Sequence, residues 1–545
     1  MERRAAHSWW QRGVIYQIYP WSFRDANGDG IGDLRGIESE LAYLTWLGVD
    51  AIWISPIYPS PMADFGYDIS DYCAVDQRFG TLADFDSLLA RAHQLGLKLI
   101  LDFVPNHTSD RHPWFLAARA SRENPYRDYY IWRDPGPHGG LPNNWLSEFG
   151  GPAWEFDQAT EQYYYHAYLK QQPDLNFRNA RVQEELLGVL RFWLTRGVDG
   201  FRIDTIHHLI KDDQFRDNPP NPDFVPSMPP HRRLLRRYTT DRPEVHAAIA
   251  KMRRVIDEYP DRILIGEVHL PVDRLMTYYG TELSGLHLPF NFQLLKAQWQ
   301  SQVIAGLARD YEAALPIGAW PNWVLGNHDT SRIASRVGAA QARLASLLLL
   351  TLRGTPTLYY GDELGMRDIF IPAELVRDPF EKNVPGMGLG RDPERTPMQW
   401  TPGLNAGFGT GKPWLPIASD AAAINVEVER DDPQSMLSFY RALLRLRRAE
   451  DALSVGTFSV LQLGPDLLGF ERRLEERRFT VLLNFSSNAQ RTQLQEASAA
   501  ELVLSTRTER RLGETGSELL LDGNEGVVIR NTGGGSVAVA PTACI

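Results

Sequence analysis

The chain has 545 residues, too many for one ordinary core, and its composition, 43% hydrophobic and 23% charged, is that of a soluble globular protein. A net charge of −11 leaves no basic footprint for nucleic acid. With only Cys73 and Cys544, a disulfide framework and a cysteine-based zinc cluster are excluded.

The opening stretch MERRAAHSWWQRG lacks the apolar run of a secretory signal, so a cytoplasmic location is expected. Short apolar runs then follow at Val14–Tyr19, Asp50–Ser55, Lys98–Val104, Gly200–Thr205, Arg262–Val268, Gly285–Phe290, Trp323–Asn327 and Thr355–Tyr360. Such runs read as strands buried on both faces. Helical patterns lie between them, among them Ile37–Leu47, Thr81–Leu95, Val182–Thr195 and Glu244–Glu258. Gly48, Gly96 and Gly197 each stand between a helix and a strand, where a left-handed C-cap calls for glycine. Eight such repeats predict an α/β fold, a closed (β/α)8 TIM barrel. The most apolar stretch, Ala342–Gly354, is too short to span a bilayer and reads as a barrel helix.

The rhythm breaks between the third and fourth strands, where residues 105–177 form an insertion rich in Trp, Tyr, Pro, Gly and Asn. Loops of this length are functional or fold as small domains. Asp212–Arg233 and Arg367–Trp400 are further insertions on the same face. Past Ala452, short strands at Phe458–Leu463, Leu467–Arg473, Phe479–Asn484, Glu501–Leu504 and Gly526–Arg530 predict a small antiparallel β-sandwich domain. The expected division is barrel 1–104, inserted domain 105–177, barrel 178–452 and C-terminal domain 453–545, with the final GGGSVAVAPTACI mobile.

Four predicted strands end on charged residues: DFVPNH (Asp102–His107), GFRIDT (Gly200–Thr205), GEV (Gly266–Val268) and NHD (Asn327–Asp329). In a barrel all strand C-termini open onto one face. Arg202 lies two residues before Asp204, on the same side of the strand, and would keep its carboxylate ionised as a nucleophile; a structural ion pair is the alternative. Glu267 follows an apolar run, and desolvation would raise its pKa toward that of a general acid unless it is a solvated strand end. Asp329 follows His328, and both can serve sugar hydroxyls, although an Asx turn explains the dipeptide equally well. Asp102 reads as a structural tie and His107 as a ligand contact. Tyr67, Phe177, Phe290 and Trp400 lie near strand ends and offer rings for sugar stacking. DANGDGIGD (Asp25–Asp33) alternates oxygen donors as the first half of a calcium loop does, without the closing glutamate. It predicts a structural Ca²⁺ or Mg²⁺, or else a polar turn without metal.

Together these motifs resemble the α-amylase superfamily, glycoside hydrolase family 13, over nearly the whole chain. QPDLNF (Gln172–Phe177), VIYQIYPWSF, DFGYDISDY and RDPERTPMQW resemble markers of its oligo-1,6-glucosidase-like branch, nearest to bacterial α-glucosidases and α-glucosyl-transferring enzymes. The resemblance implies Asp204 as nucleophile, Glu267 as acid/base and Asp329 as transition-state stabiliser. It implies Tyr67, His107, Arg202 and His328 around the non-reducing glucose, with Asp64 and Arg391 closing the pocket behind it. Asp25, Asn27, Asp29, the Ile31 carbonyl and Asp33 would hold the cation, with no organic cofactor. Thr205 beside the nucleophile leans toward α-1,4 linkages, where valine goes with α-1,6. Trp21 and His269 depart from the family pattern, and His269 falls on the leaving-group side. The implied activity is retaining, exo-acting hydrolysis of short α-1,4-glucosides such as maltose, with transglucosylation. The alternatives are a sucrose- or trehalose-acting hydrolase or isomerase, an oligo-1,6-glucosidase, or a non-catalytic sugar-binding member. The partner is a small oligosaccharide; neither nucleic acid nor membrane is expected, and the oligomeric state is open.

Overall fold

The protein is described by a computed structural model covering residues 7–493, 500–516 and 518–531. All eight predicted barrel strands form: β1 (Ile15–Ile18), β2 (Ala51–Ile54), β3 (Lys98–Phe103), β4 (Gly200–Ile203), β5 (Ile263–Gly266), β6 (Leu288–Pro289), β7 (Asn322–Val324) and β8 (Thr355–Tyr359). They pair in the order β7-β8-β1-β2-β3-β4-β5-β6. Every strand is buried along its length except at Lys98, as strands covered by helices outside and packed side chains inside must be. A parallel bridge between Asn291 and Trp323 joins the two edges. Only β6 falls well short of its predicted length. The N–H groups of Gly285 and Leu286 turn back to the carbonyls of Tyr279 and Tyr278, so the backbone there cannot join the sheet.

The apolar stretch near Ala342 forms the helix Ala339–Thr351, almost wholly buried. Among the described residues no helix is long and apolar enough to cross a membrane. The carbonyls at the end of this helix meet two buried arginines. Arg447 donates to Leu350 at 2.8 Å and to Gly354 at 2.7 Å, and Arg472 donates to Thr351 at 2.6 Å and to Leu453 at 2.7 Å. Positive charge belongs at a helix C-terminus, and it satisfies carbonyls that burial would otherwise leave unpaired. Arg472 lies on a strand of the C-terminal sheet, so this contact ties that sheet to the barrel.

Among the described residues the insertion contains a helix, Pro113–Ala120, and a three-stranded antiparallel sheet in which Gln162–Tyr165 lies between Trp132–Arg133 and Trp154–Asp157. Past Val455 a six-stranded antiparallel sheet runs in the order Thr457–Leu461, Leu467–Leu474, Arg477–Asn484, Gly526–Asn531, Ala500–Ser505, Gly513–Thr515. A two-stranded sheet pairs Gln490–Gln493 with Glu518–Leu521. The tail GGGSVAVAPTACI and Cys544 lie outside the described residues.

The loop after β1 interlocks with a segment nearly 400 residues away. Asp25 N–H donates to the Phe408 carbonyl at 2.9 Å, and Trp414 N–H donates to the Gly30 carbonyl at 3.0 Å. Gly30 has φ +90°, and a Cβ there would stand 1.9 Å from the Lys412 carbonyl oxygen. Only glycine permits both that conformation and that approach.

Candidate active site

The C-terminal ends of the barrel strands open into a cavity of about 560 Å³. Asp204, Glu267 and Asp329 line it together with Asp64, Tyr67, His107, Thr205 and Arg391. Arg202 and His328 lie directly beneath, each 1% exposed. The sheet register sets the arrangement. Asp102 of β3 stands opposite Arg202 of β4, and Ile203 stands opposite Gly266, so Asp204 and Glu267 leave their strands side by side.

One guanidinium joins three carboxylates. Arg202 Nη1 donates to Asp204 Oδ1 at 2.7 Å and to Asp102 Oδ1 at 2.9 Å, while Nη2 donates to Glu267 Oε2 at 2.7 Å. Thr205 adds a second bridge. Its backbone N–H donates to Glu267 Oε2 at 2.9 Å, and its hydroxyl donates to Asp204 Oδ2 at 3.2 Å. To aim that N–H, Thr205 adopts φ 40° and ψ 40°, a left-handed conformation that costs a β-branched residue about 1–3 kcal/mol.

Three buried carboxylates beside one cation cannot all ionise freely. Burial raises Asp204 well above the usual carboxylate range; Arg202 opposes that rise, and Glu267 and Asp102 add to it. Burial also acts on Glu267, but Arg202, a hydrogen bond from His269 and the Thr205 N–H outweigh it and hold Glu267 low. Asp102, raised by burial to about 6, accepts from the Tyr67 hydroxyl at 3.0 Å and does not line the cavity. Within the cluster, burial therefore weighs most against the Asp204 anion, while the contacts of Glu267 favour its anion. The sequence spacing paired Arg202 with Asp204; the structure adds Asp102 and Glu267 as partners of the same guanidinium.

Asp329 sits in a different field. Burial would raise its pKa, but His328, Arg391 and Arg395 hold it far below the carboxylate range. Arg395 donates to Asp329 Oδ1 at 2.7 Å and to the His328 carbonyl at 2.6 Å. Burial pushes His328 down to about 3, so its ring is neutral near pH 7. Its two nitrogens contact the Tyr67 hydroxyl and the Gln17 amide, both at 2.7 Å, and it stacks 3° from parallel on Tyr67. At one wall Arg391 Nη2 reaches Asp64 at 2.8 Å and Nη1 reaches Asp329 at 3.1 Å. Asp378 fixes the same guanidinium, accepting from Nη2 at 2.6 Å and from Nε at 3.1 Å.

The expected ligand contact of Phe177 does not materialise. Phe177 is 2% exposed and borders a separate cleft between the insertion and residues 209–213. Its motif acts through Gln172, whose amide donates to Asp64 Oδ2 at 3.2 Å, and Asp174, which accepts the Ala167 N–H at 2.7 Å. Phe290 and Trp400 are also core residues, at 1% and 4% exposure. The rings that do line the cavity are Tyr67, Phe149, Tyr168 and Phe380. Sequence reasoning missed Phe149, Tyr168 and Asp378, which stand in loops, and Phe380, in the one-turn helix Pro379–Asn383, all without periodicity. Arg395 was within reach, because it belongs to the RDPERTPMQW stretch. His269 donates from Nε2 to Glu267 Oε1 at 2.8 Å and stacks on Phe292 at 4.4 Å.

In the DANGDGIGD loop the acidic oxygens accept backbone N–H groups. Asp25 takes those of Gly28 (2.6 Å) and Gly30 (2.9 Å), Asp29 that of Ile31 (2.8 Å), and Asp33 those of Ala26 (2.9 Å) and Gly36 (2.7 Å). Among the described residues no three His, Cys, Asp or Glu side chains converge as a metal cluster. The donor set is nonetheless one of hard oxygens, and every carboxylate oxygen except Asp33 Oδ2, which also takes the Asn27 N–H at 3.2 Å, keeps a lone pair beyond its hydrogen bond.

Residues 17–456 match the alpha-amylase catalytic-domain family. A probable alpha-glucosidase of Rhizobium meliloti (strain 1021) is 44% identical over 497 residues, covering 88% of this chain and 90% of that one. An oligo-1,6-glucosidase of Parageobacillus thermoglucosidasius is 38% identical over 516 residues, covering 88% and 90%. The crystal structure of an alpha-glucosyl transfer enzyme superposes with a TM-score of 0.92 at 41% identity, covering 96% of this chain and all of the other. The barrel, its insertion and the acids at its mouth thus belong to a glycoside hydrolase, and the chain is a member of the α-amylase family, glycoside hydrolase family 13.

Proposed function

We propose that the chain is a retaining, exo-acting α-glucosidase that hydrolyses short α-1,4-glucosides such as maltose and transfers their glucosyl unit to other hydroxyls. The observation that carries the reading is the pair Asp204 and Glu267 spanned by one guanidinium. That spacing suits the separation of about 5–5.5 Å used by retaining enzymes, which leaves no room for a water between the carboxyl groups.

In this mechanism Asp204 attacks the anomeric carbon as Glu267 delivers its proton to the departing oxygen. The C–O bond to the leaving group breaks and a glucosyl ester to Asp204 forms. Glu267, now a carboxylate, takes a proton from water or from an acceptor hydroxyl, whose oxygen displaces Asp204. Asp329, held anionic by Arg391 and Arg395, binds sugar hydroxyls and favours positive charge on the ring. The Asp64–Arg391 pair ends the cavity behind one glucose, which supports attack from the non-reducing end. Asp204→Asn and Glu267→Gln are each expected to lower maltose turnover at least ~10³-fold with the fold intact by circular dichroism. Glu267→Gln should still accumulate glucosyl ester from α-glucosyl fluoride, which needs no acid, and mass spectrometry reads it. Near-normal maltose turnover in either variant would defeat the assignment.

The active form carries one proton on the pair, held by Glu267. Turnover should therefore follow a bell against pH, falling in acid as a second proton binds and in alkali as the only one leaves. His269 stabilises the Glu267 anion, so His269→Phe raises the affinity of the pair for its proton. The alkaline limb of kcat/KM should move to higher pH; an unmoved limb would show that the contact has no such effect.

Linkage preference is assigned to Thr205, whose hydroxyl touches the nucleophile. Chromatography of products should show maltose cleaved well before isomaltose, with Thr205→Val narrowing the gap. Isomaltose preferred by the native protein would reverse this reading.

We also propose that Asp25, Asn27, Asp29, Asp33 and the Ile31 carbonyl take Ca²⁺ or Mg²⁺ as a structural ion. Adding either to chelator-treated protein should raise the Tm. An unchanged Tm and no calorimetric binding heat would leave the loop held by its N–H bonds alone.

A further inference from the structure

The cavity carries more positive charge than the glucose site uses. The cations around Asp64, Asp204, Glu267 and Asp329 are matched to those carboxylates. Elsewhere on the wall stand Arg232, Arg236 and Lys296, with His231 on the same segment as the two arginines. Of the acids near them, Glu148 is already engaged, by Arg236 Nη1 at 2.6 Å and by His231 Nε2 at 3.2 Å, and Glu267 by Arg202. Burial lowers the pKa of His231, so near pH 7 Arg236 and Glu148 cancel as a pair. Arg232 and Lys296 remain, and neither side chain makes a hydrogen bond or an ion pair among the described residues.

Lys296, at the end of the helix Gln293–Lys296, is exposed to solvent and lines the cavity without an anionic partner among the described residues. Desolvation of its ammonium, then the fields of Arg232 and Arg236, hold it below the usual lysine value; Glu267 and Glu148 only partly offset them. An ammonium facing two guanidinium groups across an open cavity gains most from an anion that enters with the ligand. Phe292, four residues before Lys296, stacks on His269, which contacts Glu267, so Lys296 stands on the side from which the proposed acid protonates the departing oxygen, where the leaving group lies.

We infer that Arg232 and Lys296 form a subsite for an oxyanion on the leaving group or acceptor, so that the enzyme favours glucosides whose aglycone carries a carboxylate or a phosphate. The inference rests on the glucosidase reading and extends it from the glucose to the group it is joined to.

The test compares 4-carboxyphenyl with 4-carbamoylphenyl α-glucoside, which differ in charge and hardly in shape. The native enzyme at low salt is expected to show a KM about tenfold lower for the carboxylate, a gap that narrows as salt screens the contact. In Lys296→Met and in Arg232→Gln the ratio of the two KM values should fall to within about twofold, with turnover of the carbamoyl substrate certifying the fold. Glucose 6-phosphate against glucose as transfer acceptor supplies the phosphate arm. Preference for either anion over its neutral counterpart supports the subsite, and the two arms tell carboxylate from phosphate. Equal KM values together with equal acceptor use in the native enzyme, or a preference that survives in both variants, would overturn the inference while cleavage of the carbamoyl substrate left the glucosidase reading standing. If neither aryl glucoside were cleaved, both would fall.

Discussion

The arrangement depends on a single buried cation. Arg202 is 1% exposed, and its terminal nitrogens are shared among Asp102, Asp204 and Glu267. Two of these acids do the proposed chemistry; Asp102 anchors the guanidinium from the neighbouring strand. Removing one partner from a buried charge network leaves the others uncompensated, at a cost of several kcal/mol. The barrel register, which puts Asp102 across from Arg202, is therefore also what assembles this charge cluster.

Around this rigid floor the walls are loops. The Asp64–Arg391 contact unites segments far apart in the chain, and Asp378 holds the arginine so that it can serve Asp64 and Asp329 together. Thr205 contributes in another way. Its strained backbone turns one N–H toward Glu267, and its hydroxyl reaches Asp204. Strain of this kind persists where neighbouring contacts over-determine the conformation, as they do at functional sites.

Much of this was legible in the sequence, for a physical reason. Buried parallel strands leave continuous apolar runs, and the charged residue ending each run must face the barrel mouth. That logic located Asp204, Glu267 and Asp329, and the same side-chain alternation paired Arg202 with Asp204. It failed where periodicity fails. Phe149 and Tyr168 stand in the insertion, whose short aromatic-rich strands carry no alternating pattern, and Asp378 stands in a loop among prolines. Phe177 was misjudged because a ring near a strand end serves a core as readily as a sugar. Sequence spacing also reveals only one neighbour of Arg202 and hides the others, which arrive from adjacent strands.

The clasp between Gly30 and Lys412 has a consequence for how the chain is made. The turn leaving β1 emerges early from the ribosome, but the backbone that completes it is synthesised some hundreds of residues later, roughly twenty seconds to over a minute at ordinary translation rates. Through that interval the acidic loop has no lasting mate, and β1 waits likewise for β8, with which it pairs. The nascent barrel must therefore be kept from wrong partners until nearly its whole length is in hand.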